Sequence, residues 1–222
     1  MSADDSKLCQ ADAIEPESDR RRYFRIADQI GLALTPLTAA EAEQLLERLE
    51  APSSRAGLLN DLQAIRERHL PERRALEYKF PTVAAYIKVI EHQIDTLAQA
   101  VGEAEDFPGV ADTPACLSAQ GVSVQWPTAF AVKSVVDLRL TLFPDRVLVR
   151  SLARVVRCDP FEDGSYRLAL DFAHVREADR EAIIRHVYRL QRLQLQAQAE
   201  EEFESRFSPL KARNYAEKKP SV

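Results

Sequence analysis

The stretch VAAYIKVIEHQIDTLAQAV, residues 83–101, limits what this chain can fold into more than any other segment. Val83, Ile87, Ile90, Ile94, Leu97 and Val101 recur at alternating spacings of four and three, a heptad seam sustained over nearly three repeats. With Ile87, Ile94 and Val101 at the a positions, Val83, Ile90 and Leu97 fall at d. Isoleucine at both kinds of position tilts the preference from dimers towards trimers or tetramers. Two packings fit the spacing: an oligomeric coiled coil, and an amphipathic helix laid on its own chain. The narrow a/d stripe favours the first, because a core helix carries a wider apolar face.

The seam closes a longer helical block. Thr38 and Glu41 have capping-box spacing, and Leu45, Leu46 and Leu49 follow at helical intervals, so a helix starts at Thr38 and breaks at Pro52-Ser53. A second helix is expected over about 55–69, and Pro71 suits the first turn of a third. Phe80-Pro81 should interrupt that segment just before the seam. The turn-rich GEAEDFPGVADTP then ends the block.

On either side of the block the pattern changes to strands. FRIADQIGLALTP reads as one; ACLSAQGVSVQWP, SVVDLRLTLFP, VLVRSLARVVRCDP and SYRLALDFAHV read as four more. VDLRLTLF alternates strictly, and DPFEDGS is a hairpin loop by its Asp-Gly content. Its acids Asp159, Glu162 and Asp163 are expected to be a solvated turn. Short alternating strands of this kind form a small antiparallel barrel. A closing helix begins near Glu177, with Ile183, Ile184, Val187, Leu190 and Leu193 as its apolar face. The expected class is therefore α+β: a small barrel with a long helical, coiled-coil insertion and a C-terminal helix. Residues 1–18 are expected to be a disordered tail, 19–37 with 112–204 the barrel and closing helix, 38–111 the insertion and connector, and 205–222 a second disordered tail.

Most chemistries are excluded by what the chain lacks. Six glycines do not make a phosphate-binding loop. His69, His92, His174 and His186 have no metal-ligand spacing with each other or with cysteine, so no metal is expected. His174 and His186 are expected to be surface or packing residues. Cys9, Cys116 and Cys158, odd in number and scattered, suit reduced thiols of a cytoplasmic protein. Ser118 in LSAQG superficially resembles a strand-turn nucleophile but lacks the glycine two residues before it, so no catalytic residue is assigned. No apolar run approaches the roughly 20 residues that span a bilayer, and the acidic N-terminus is no secretory signal. A net charge of -5 disfavours nucleic-acid binding.

Within this acidic chain, DRRRYFRI at residues 19–26 concentrates four arginines directly before the first strand. Arginine grips phosphate oxygens in a fork, bonds the O6 and N7 edge of guanine, and stacks on purine faces. Arg21 and Arg25 stand four apart, with Arg20 and Arg22 adding charge; Tyr23 and Phe24 are expected to dock the arm on the barrel. Some ninety residues later comes Cys116-Leu117-Ser118-Ala119-Gln120-Gly121. In these two segments the chain resembles the PilZ family, bacterial receptors for cyclic di-GMP. That family's signature is an arginine, three residues and a second arginine, followed later by Asp or Asn, any residue, serine, two residues and glycine. Arg21 and Arg25 match the first element, Ser118 and Gly121 the second, and Cys116 replaces the acid or amide. The strand order matches as well, and the heptad insertion is similar to an atypical, tetrameric branch of the family.

The resemblance implies a non-enzymatic signalling protein without cofactor, with cyclic di-GMP as its possible ligand. The candidate ligand residues are Arg21, Arg22, Arg25, Ser118 and Gly121. Ser118 and Gly121 have a competing role as turn residues, Gly121 through its backbone geometry. A thiol is a weak substitute for a carboxylate facing guanine's donor edge. The expected loss is about 1–3 kcal/mol, or roughly 5- to 150-fold in affinity. The expected partners are other copies of the chain, as a tetramer, and unidentified proteins.

Overall fold

The computed structural model describes residues 24–51, 57–103, 106–161 and 163–216. Six strands form the barrel: β1 (Ile26–Pro36), β2 (Thr113–Leu117), β3 (Gly121–Trp126), β4 (Val135–Leu142), β5 (Val147–Pro160) and β6 (Tyr166–His174). They close in the order β1-β2-β3-β6-β5-β4, antiparallel at every pairing. Four helices, α1 (Ala39–Glu50), α2 (Leu58–Arg68), α3 (Leu70–Lys79) and α4 (Pro81–Glu103), are inserted between β1 and β2. The last element, α5, runs from Glu177 to Ala216. The class is α+β, as the alternation and heptad patterns require.

Alternation sets the barrel's inside. Leu138, Leu140 and Leu142 of β4 point inward with Ile26 and Ile30 of β1, Val124 of β3, Val155 of β5 and Leu168 of β6, all buried. α5 covers this core with Ala182, Ile183 and Val187.

The run ACLSAQGVSVQWP, expected to be one strand, is two. Ser118 turns the chain: its N–H donates to the Gly121 carbonyl at 2.9 Å, and β2 and β3 then pair as a hairpin with Cys116 opposite Ser123. Apolar residues on both sides of the serine disguise the turn. α5 likewise continues past 204, where a disordered tail was expected. Residues 191–216 contain no glycine and are rich in Gln, Ala, Glu, Leu and Arg, whose helix propensity outlasts the apolar face.

The insertion begins as its sequence dictates. Thr38 caps α1, with its Oγ1 accepting from the Glu41 N–H and the Glu41 carboxylate accepting from the Thr38 N–H. α2 docks on the barrel through buried polar groups. Asn60 Nδ2 donates to the Leu148 carbonyl and to Asp179 Oδ1, both at 2.8 Å. Arg176 forks onto Asp179 at 3.0 and 2.9 Å and reaches Asp61 at 3.0 Å. Burial pushes the Asp179 carboxyl up, while the Arg176 guanidinium pulls against it.

α4 has two unlike faces. Ala84, Lys88, Glu91, Asp95 and Ala98 share the side that meets α2 and α3. There Ala84 and Ala98 are buried, Asp95 and Glu91 hold Arg66 and Arg73, and Lys88 holds Glu77. The heptad residues lie on another side. Val83, Ile90, Ile94 and Leu97 are exposed and Ile87 is half-buried; the Val101 side chain is outside the described residues. The intrachain packing of α4 therefore uses small and charged residues, and its isoleucine face is left to solvent.

Candidate functional site on the barrel wall

Cys116, Ser123 and Ala169 are cross-strand neighbours on β2, β3 and β6. They lie on the outer wall, because Leu117, Val122, Val124, Leu168 and Leu170 take the inward positions. A register shift at Val155/Arg157 in β5 brings Val156 to the same wall. Together with Arg25, the Ser118–Gly121 turn and Asp171, these residues line a cleft of about 120 Å³. Small-molecule pockets usually run from roughly 300 to 1,000 Å³, so the described residues make only a shallow seat.

Ser118 is committed to the turn. Its Oγ donates to the Gly121 carbonyl at 3.2 Å and accepts from the N–H groups of Gln120 and Gly121 at 3.3 and 3.2 Å. One donor and two lone pairs are a hydroxyl's whole capacity. The turn is held from outside as well: Arg180 of α5 donates to the Ala119 carbonyl at 2.9 Å, and the Phe172 N–H donates to the Gln120 carbonyl at 2.8 Å. Gly121 is required by close approach, since a Cβ there would sit 2.1 Å from the Leu170 carbonyl oxygen. Both residues thus serve the turn, while also lining the cleft.

Of the arginine cluster, Arg25 reaches this cleft; Arg20, Arg21, Arg22 and Tyr23 lie outside the described residues. Phe24, expected to dock on the barrel, is about half exposed. Cys116 is 3% exposed and disulfide-bonded, which corrects the expectation of three reduced thiols; its partner lies outside the described residues, and Cys158 is free. Sequence spacing could not show this, because a disulfide needs proximity in space.

Two groups in the cleft were not expected. The Asp171 carboxylate lines it and makes no hydrogen bond or ion pair among the described residues, and the Ser123 hydroxyl is buried without a partner. Strand alternation carried the signal for Asp171: with Leu168, Leu170 and Phe172 inward, it must face out. His186 is a packing residue, buried with Nε2 2.6 Å from Asp28 Oδ2. Of the acids expected in a solvated turn, Asp159 lies in β5, 3.0 Å from Arg157, Asp163 accepts from the Ser165 N–H in the turn before β6, and Glu162 lies outside the described residues. No group of side chains among the described residues is arranged to hold a metal, and no helix among them is long and apolar enough to cross a membrane.

The cleft and barrel can be set against known proteins. The family model of the PilZ domain matches residues 97–189. This chain carries a PilZ domain. The match starts within α4 and ends within α5, so it takes in β2 to β6 and the turn; the structure adds β1, which closes the PilZ barrel through β2 and β4. PilZ domains are modules of cyclic di-GMP signalling, and in general they are not enzymes. Among solved structures, one match is a pathogenic protein from Xanthomonas campestris, described as a tetrameric PilZ domain self-assembled via a helical bundle. It shares 19% identity over 78% of this chain and 89% of its own, with a TM-score of 0.45. Similarity of that degree says nothing about how the present chain assembles. No curated protein matches the chain.

Proposed function

We propose that this is a non-enzymatic, cytoplasmic signalling protein of the cyclic di-GMP network whose own nucleotide site is weak or lost. In this reading it self-associates through α4, as a tetramer, and acts through protein partners. The observation that carries the reading is position 116. Where the family places Asp or Asn, this chain has a buried sulfur that offers guanine no strong acceptor. Two further features support it. The Ser118 hydroxyl is spent within the turn, and Asp171 adds a negative charge to a cleft that would have to take phosphates.

Self-association is supported by the exposed isoleucine face of α4. Val83, Ile90, Ile94 and Leu97 form one stripe on the helix, continuous with partly buried Ile87, and such a stripe on a monomer marks an interaction surface. Val101 continues the same heptad.

A second reading, a working cyclic di-GMP receptor, is favoured by Arg25 lining the cleft beside Ser118 and Gly121. Arg21 and Arg22 would join it in that reading. Calorimetric titration with cyclic di-GMP separates the two. The expected result is weak or undetectable heat for the native chain and affinity increased roughly 5- to 150-fold by Cys116→Asp. Saturable low-micromolar binding by the native chain, lost in Arg21→Ala and Arg25→Ala, would establish the receptor instead.

A further inference from the structure

A second cleft, of about 330 Å³, lies where the insertion meets the barrel. Gln63, Arg66 and Glu67 of α2 line one side and Arg185, His186 and Arg189 of α5 the other; Asp145, in the turn between β4 and β5, lies at its edge. Its size falls within the usual small-molecule range of roughly 300–1,000 Å³. Three guanidinium groups converge on it, whereas the barrel-wall cleft has one among the described residues.

How these charges are balanced indicates what the cleft accepts. Arg66 donates to Asp95 at 2.8 Å and to the Glu91 carbonyl at 3.2 Å, and neither acid lines the cleft. Arg185 pairs with Glu67, and Arg189 with Asp145. In those two pairs the acids are the loose members: Glu67 and Asp145 are 54% and 51% exposed, against 30% and 28% for Arg185 and Arg189. Pairs with one end so exposed hold weakly, by about 0–1 kcal/mol, and their acids can turn to water. The arginines are fixed more firmly. Arg189 Nη2 donates to His186 Nδ1 at 3.0 Å, which leaves Nε2–H of His186 to donate to Asp28 at 2.6 Å. Arg185 Nη2 is buried and has no acceptor among the described residues.

We propose that this cleft binds a compact multivalent anion, a small molecule bearing phosphate groups or several carboxylates, between Arg66, Arg185 and Arg189. The anion replaces Glu67 and Asp145 as the acceptor for two guanidinium forks and supplies the missing partner of Arg185. Gln63 adds a neutral amide to the same wall. Because the ligand touches α2 and α5 together, its binding fastens the insertion to the barrel. The site is independent of the barrel-wall cleft and of the reading given to that cleft.

Titration of the full chain with pyrophosphate and, separately, with citrate tests the proposal, at ionic strength held constant with sodium chloride. Saturable binding of at least one anion is expected, together with a rise in melting temperature that sodium chloride does not reproduce. Binding to one anion alone identifies the phosphate or the carboxylate source. The double variant Arg185→Gln, Arg189→Gln should weaken binding at least about tenfold, given that charge-assisted bonds contribute about 1.5–3 kcal/mol each. Gln63→Glu places a carboxylate in the cleft without removing any ion pair, and should weaken binding by a similar factor. It decides the matter if the double variant fails to fold. Arg25→Ala should leave binding unchanged. No saturable binding of either anion, binding indifferent to Gln63→Glu, or binding lost in Arg25→Ala overturns the proposal.

Discussion

At the scale of single residues, Gly121 is the position where packing leaves least choice. β3 starts there, directly against Leu170 of β6, and the Cβ of an alanine would meet the Leu170 carbonyl oxygen at 2.1 Å. The obstacle is backbone inside a closed barrel, so no side chain can swing away to relieve it. Gly121→Ala should therefore destabilise the chain by about 3 kcal/mol or more, measured by urea unfolding. Gly109 offers the control, because a Cβ there meets nothing within 4 Å, and Gly109→Ala should stay within about 0.5 kcal/mol. If the two variants unfold alike, Gly121 is not held by close approach. The family signature and the packing thus ask for glycine at the same place for separate reasons. Cys116 is the opposite case: the fold buries it on the barrel wall, and only the proposed reading of the ligand chemistry would ask for a different residue there.

At the scale of elements, α4 is the clearest link between sequence and structure. Its period of four and three placed Ile90, Ile94 and Leu97 on one stripe, and the fold leaves that stripe uncovered because Ala84, Glu91, Asp95 and Ala98 make the intrachain contacts. Ile90→Glu with Ile94→Glu should therefore reduce particle mass in sedimentation while leaving the far-UV circular dichroism of the barrel and helices intact. An unchanged mass would mean that the seam is not the contact between copies. β4 was equally legible, because strict alternation in VDLRLTLF has one structural meaning. The split between β2 and β3 was not. Ser118 and Gly121 were legible as turn residues, but the buried Cys116, Leu117, Ala119 and Val122 around them read as one continuous strand; the split is fixed by the backbone bonds of Ser118. The barrel-wall site was legible as far as its motifs reach. Asp171 and Ser123 belong to it through cross-strand register, which a linear pattern does not carry.

At the scale of the whole molecule, the open question is whether barrel and insertion form one cooperative unit. The residues that join them are distant in sequence: Asn60 and Asp179 are 119 positions apart, and neither belongs to a motif. Asn60 is fully buried and gives both of its N–H groups away, one to the backbone of β5 and one to the start of α5. Gly57 makes room for this clamp, since a Cβ there would lie 2.0 Å from Arg176 Nη2. Asn60→Leu keeps the branched shape but strands the Leu148 carbonyl and one Asp179 oxygen, each a buried acceptor whose loss of a partner costs about 1–3 kcal/mol. Release of the partnerless Asn60 Oδ1 offsets part of that, so a net loss of about 2 kcal/mol is expected. The chain's single tryptophan, Trp126 at the end of β3, reports on the barrel, while far-UV circular dichroism is dominated by the helices. If the insertion is an elaboration of one domain, both signals in Asn60→Leu should move to lower denaturant together. A tryptophan transition that stays in place while the helical signal is lost early would make the insertion a separate body tethered to the barrel. In that case the anion cleft between them would open before the barrel unfolds, and its ligand would raise the helical transition alone.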